Sequence, residues 1–145
     1  MAIDGPELFQ NDVAHDFVDR VARSGVNEVR RALSEVLDHS RDYLDLDVAV
    51  EAWVAAELVA ARVGEERQRT GNEPQAYDSA IASLAADAGF LEESLRVLDR
   101  LESGEANELL GLLTDAGLLS PWREQLQNLR LRLRRGQLRH LPPAP

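Results

Sequence analysis

Two pairs of side chains near the start of the chain have the types and spacing to do chemistry. Asp12 and Asp16 stand four residues apart, and so do His15 and Asp19. On a helix each pair shares one face. Carboxylates beside an imidazole can bind a divalent metal or move a proton. The same residues also suit a structural role. Asn11 or Asp12 can cap a helix by accepting backbone N–H bonds, and acids in a first turn favour the helix dipole. We read them as helix-capping and surface residues, and assign no catalytic residue, metal ligand or cofactor.

Glu51 and Glu57 lie in an otherwise apolar stretch. A buried carboxylate with a raised pKa can act as an acid or base. Six residues apart, these two point in different directions and form no natural dyad. Arg62 follows Glu57 by five residues, a poor pairing distance, so the expected partner comes from another helix.

The run Glu35, Asp38, Asp42, Tyr43, Asp45, Asp47 and Glu51 has only Arg41 to offset it, a balance of −5. It lacks the glycine and terminal glutamate of a calcium-binding loop. It reads as a solvated connector in which Asp45 or Asp47 caps the next helix. It also offers a docking face, on which Glu35, Asp38, Asp42, Tyr43, Asp45 and Asp47 meet a basic partner and Tyr43 anchors it. At the other end Arg130, Arg132, Arg134, Arg135 and Arg139 crowd ten residues. Phosphate binding needs such clusters, but residues 1–117 carry −15 and residues 118–145 only +5. Nucleic acid is therefore a poor expectation. A solvated helix face whose cations complement the C-terminal dipole is the expectation, and pairing with the protein's own acids, within the chain or between copies, is a second option. The histidines have no zinc-protease spacing, and no Walker, GxGxxG or GxSxG loop occurs.

These side chains need elements to hold them. Val13, Phe17 and Val21 predict a helix over 12–23, stopped by Gly25. A second helix spans 27–38, with Asn27 as its cap, followed by an acidic connector over 39–47. Residues 48–63 are apolar all round, which predicts a buried central helix. Residues 64–77 form the longest loop and the candidate for mobility. Shorter helices follow: one opening at Asp78 or Ser79, one carrying Leu91, Leu95, Leu98 and Leu101, and one over 105–116. Ser120-Pro121-Trp122 starts the last, which carries Leu126, Leu129 and Leu133 and ends at Gly136. Leu129 to Arg134 also alternates with strand period, but the cap and the Trp122–Leu126 spacing favour helix.

The expected fold is all-α, a single helical domain over 1–136 with six or seven helices around 48–63, and a disordered Pro-rich tail over 137–145. The 145 residues suffice for one core. There is no cysteine, and all sixteen basic residues are arginine. No apolar run spans a membrane and no secretory leader is visible, so a bacterial cytoplasmic location is the expectation.

Phe9, Asn11, Asp12, Ala14, Asp16 and Phe17 form a Phe-x-Asn-Asp-x-Ala-x-Asp-Phe opening. With Gly5 upstream, and Trp122, Leu126, Leu129-Arg130 and Leu133 near the end, the chain resembles the uncharacterised bacterial domain-of-unknown-function family 4259. Asp4 and Glu7 stand where that family usually has tryptophan and glycine. The resemblance implies a fold and no activity. The leading functional expectation is a non-enzymatic protein–protein interaction module, immunity- or antitoxin-like, with a basic protein partner; self-association is allowed. The competing expectation is a small metal- or ligand-binding enzyme using Asp12, His15, Asp16 or Glu51. A third is a ligand pocket near Trp53 and Trp122.

Overall fold

In the computed structural model, residues 7–38, 42–84, 88–103 and 106–139 are described. Among them a 3-10 turn, Leu8–Gln10, precedes seven helices: α1 (Asp12–Ser24), α2 (Val26–Asp38), α3 (Leu46–Arg62), α4 (Tyr77–Ala82), α5 (Ala88–Leu101), α6 (Glu108–Asp115) and α7 (Leu119–Arg139). The architecture is all-α.

α3 is the axis of the molecule and packs against every other helix. Twelve of its seventeen residues are buried. Five of them are alanines, at 49, 52, 55, 56 and 60. Small side chains let neighbours approach closely, which suits a helix surrounded on all sides. α1 is amphipathic and buries Ala14, Phe17, Val18 and Val21. Burial of each of the larger groups contributes roughly 1.5–3 kcal/mol. The Asn11 side chain accepts from Val13 N–H at 2.7 Å, as a cap should. Gly25 ends α1 at φ +73°, and its N–H donates to Val21 O.

Several boundaries differ from the sequence expectations. α2 begins at Val26, because Gly25 alone completes the corner; Asn27 lies inside the helix and accepts from Arg30 instead. Asp45 stands at the N-cap of α3 without making the side-chain bond, and Asp47 lies in its first turn. α6 is capped by Asn107, whose Oδ1 accepts from Leu110 N–H. α7 starts at Leu119, leaving Pro121 in the first turn, where no N–H bond is needed.

α7 also continues through Gly136 to Arg139. A Cβ at Gly136 would stand 2.9 Å from Val63 Cγ2 and 3.3 Å from Leu91 Cδ2. That glycine serves close helix packing rather than termination. Leu129 to Arg134 is helical, as the cap and the Trp122–Leu126 spacing predict, and not a strand. Gly5, Arg41, His39, His140 and the Pro-rich residues 140–145 lie outside the described residues. Among the described residues no helix is long and apolar enough to cross a membrane.

Candidate functional site

The segment between α2 and α3 alternates. Leu44 and Leu46 are buried, while Asp42, Tyr43, Asp45 and Asp47 are exposed. Period-two alternation is what extended backbone over a core produces. Leu44 is clamped: its N–H donates to Ala106 O at 2.7 Å, and Glu108 N–H donates to Leu44 O at 3.0 Å. Arg100 adds a bond to Asp42 O at 2.9 Å and one to Ala106 O at 3.2 Å. Tyr43 is thereby held outward at 58% exposure.

A groove of about 220 Å³ results, lined by Glu35, Asp42, Tyr43, Leu44, Asp45 and Val48. Among the described residues three carboxylates and no cation line it. Tyr43 donates a long hydrogen bond to Glu108 Oε2 at 3.4 Å. Partial desolvation and the Glu108 carboxylate hold its phenol above the ordinary range. Glu35 pairs with Arg31 at 2.7 Å. Asp38, Asp45 and Asp47 make no ion pair among the described residues. Of the six residues marked for docking, four line the groove; Asp38 and Asp47 are exposed beyond it.

The first helix presents no convergent chemistry. Asp12, Asp16 and Asp19 are exposed. His15 Nε2 lies 2.9 Å from Phe9 O, and its ring packs edge-on to Phe9. Phe9 and Phe17 are core residues. Glu51 faces Arg20 and Arg31 rather than the acids of α1. Among the described residues no three His, Asp or Glu side chains are grouped to hold a metal. Trp53 and Trp122 fill space instead of lining it. Their rings meet edge to face at 6.2 Å, and neither lines the groove or the larger cleft described next.

That cleft went unnoticed in the sequence. It lies between α3, α7 and residues 64–76, with a volume of about 780 Å³. Glu57 and Arg132 line it as a bidentate ion pair, at 2.8 and 2.9 Å, both side chains about 95% buried. Asn128 Oδ1 and Glu65 O each accept a further Arg132 N–H. Glu57 thus finds its partner on another helix. Arg67 stacks over Phe9 and donates to Glu7. Arg69 stacks over Tyr77 and bridges Glu66 and Asp78.

The segment 64–76 is also tied internally. Glu73 accepts from Thr70 N–H, Thr70 Oγ1 and Gly71 N–H. Burial pushes the Glu73 carboxyl up, but those bonds outweigh it and hold the group below 4.5. The C-terminal arginines are largely committed. Arg130 pairs with Asp99 and Glu102, and Arg135 and Arg139 pair with Glu65.

Helical phase was the available signal for Arg132. It falls three residues after Leu129, on the same inward face. Its partner, 75 positions away, left no trace in local spacing.

The family model of a domain of unknown function, DUF4259, matches residues 3–125. The match includes the Phe9–Phe17 opening and Trp122 but stops before Leu126, so the carry-over to Leu129-Arg130 and Leu133 has no support in it. No curated protein and no solved structure matches the chain.

Proposed function

The chain belongs to the DUF4259 family, and for this member we propose a non-enzymatic role: docking a basic protein through the groove around Tyr43. The observation carrying the proposal is that groove's composition. Among the described residues three carboxylates and no cation line it, beside an aromatic ring left 58% exposed. Clustered like charge steers an oppositely charged partner and raises its on-rate. An exposed tyrosine supplies rigid contact area, the kind of anchor on which interface energies concentrate. The clamp at Leu44 fixes both beforehand, so binding loses little conformational entropy. The net charge of −10 acts in the same direction at longer range. An immunity- or antitoxin-like role, with the protein neutralising a basic toxin, is the specific form of this proposal.

The test is affinity purification from the native host, with a photo-crosslinking residue at Tyr43, followed by identification of the partner. The reading requires one abundant, basic crosslinked protein, lost when Asp42 and Asp45 become asparagine. A protein that runs alone at native abundance, with no crosslink, sinks it.

A further inference from the structure

The 780 Å³ cleft shares no residue with the Tyr43 groove and has a different character. Its size falls within the range of small-ligand sites. Its lining is rich in polar groups: four carboxylates, three guanidiniums, and the amides of Gln68, Gln125 and Asn128, beside Thr70 and Pro121. A bare anion entering it meets Glu7, Glu57, Glu66 and Glu124. A bare cation meets Arg67, Arg69 and Arg132. Most of these charges are already paired within the fold, Arg132 with Glu57, Arg69 with Glu66 and Asp78, and Arg67 with Glu7; among the described residues the groups left to a ligand are Arg67 Nη1 and Glu124, one of each sign.

The buried donors point the same way. The Arg67 side chain is nine-tenths buried, yet its Nη1 makes no hydrogen bond. Glu73 Oε2 forms an ion pair with it at 3.5 Å without hydrogen-bond geometry, and its oxygens accept from Thr70 and Gly71 instead. A buried charged donor without an acceptor is costly, and an incoming carboxylate oxygen would supply one. The Tyr77 hydroxyl is likewise buried without a partner. Tyr77 does not itself line the cleft; Arg69, which does, stacks over its ring. At the rim Glu124 is exposed and makes no ion pair among the described residues, a place for an ammonium.

We propose that this cleft binds a free α-amino acid or a close zwitterionic analogue, its carboxylate towards Arg67 and its ammonium towards Glu124. The Glu57–Arg132 pair keeps the cleft wall rigid by joining α3 to α7. This site is independent of the docking groove, and either assignment can fail alone.

The experiment is a titration of the isotopically labelled full chain by NMR with glycine, L-glutamine, L-aspartate and L-lysine. N-acetyl-L-glutamine and L-glutaminamide serve as the forms lacking one charge. We expect saturable shifts at the Arg67 Nε–H and the Thr70 amide with at least one free amino acid. With glutamine as ligand, each blocked form should bind about tenfold more weakly. Arg67→Gln should weaken binding by about tenfold, and Glu124→Gln by a few-fold, as charged hydrogen bonds are lost. Arg67 also packs on Phe9, so its variant can lose stability; Glu124 is exposed, and its variant together with the blocked ligands keeps the test decisive. Absence of saturable shifts with all four amino acids up to about 10 mM, a concentration below which even weak specific sites fill, overturns the proposal. So does equal binding of the acetylated form, or indifference to Glu124→Gln.

Discussion

The two ends of α3 treat charge in opposite ways. Near Val48, at its beginning, the groove collects three carboxylates with no guanidinium among its described lining residues, although Glu35 is paired with Arg31. Near Glu57, nine residues or about 13 Å along the axis, the cleft sets guanidiniums against carboxylates and holds one pair about 95% buried. The difference teaches where an acidic protein keeps its field. Charges paired within the fold cancel at short range, whereas charges left at a rim act on the surroundings. Overall acidity describes both regions equally and distinguishes neither.

The comparison is most sharply tested at Glu57. Glu57→Ala leaves Arg132 buried and unmatched, and should cost about 3–5 kcal/mol, read from urea unfolding. Replacing Glu57 and Arg132 together by methionine should recover most of that loss. A single substitution costing under about 1 kcal/mol would mean that the pair is solvated, and the contrast between the two ends would collapse.

At the groove the order reverses, with binding affected more than stability. Tyr43→Ala should reduce affinity for the basic partner by about tenfold or more while leaving unfolding within about 0.5 kcal/mol. Raising salt should weaken that association, mainly through its on-rate, and should leave the Glu57–Arg132 contribution nearly unchanged. Binding measured across a salt series checks both statements.

Acid separates the regions more gently. Glu73 has a folded pKa held below 4.5, so its contribution is complete above that value and disappears as pH falls through the lowered one. Residues 64–76 should then exchange their amide hydrogens faster. The Leu44 amide, bonded to a backbone carbonyl, should stay protected. Loosening of Leu44 ahead of Thr70 and Gly71 would contradict the assignment. The smallest effects belong to Asp38→Asn and Asp47→Asn, exposed and outside the groove lining. Each should shift stability by less than about 0.5 kcal/mol and affinity only slightly, measurable in the same titrations.

Much of the fold was legible because it rests on local periodicity. Val13, Phe17 and Val21 announce α1, and the unbroken apolar run announces α3. Boundaries were less legible where a glycine had two possible meanings. Gly25 ends a helix at positive φ, while Gly136 sits inside one, pressed against Val63 and Leu91. Only the neighbouring helices distinguish the two cases. The acids around Tyr43 were visible as a group because they are close in sequence. The cleft was not, because Glu57, Arg67 and Arg132 are brought together by packing over long separations. A Leu-Arg alternation looks the same whether its arginine meets water or a carboxylate 75 residues away.

The tie between Leu44 and the start of α6 has one more consequence. Tyr43 keeps its position because Ala106 and Glu108, more than sixty residues downstream, grip the backbone beside it. A synthetic fragment spanning 35–48 would carry every side chain of the groove and none of that grip. The recognition surface is therefore a property of the assembled molecule, absent from its own linear epitope, and it vanishes if α6 frays while the rest of the helices stand.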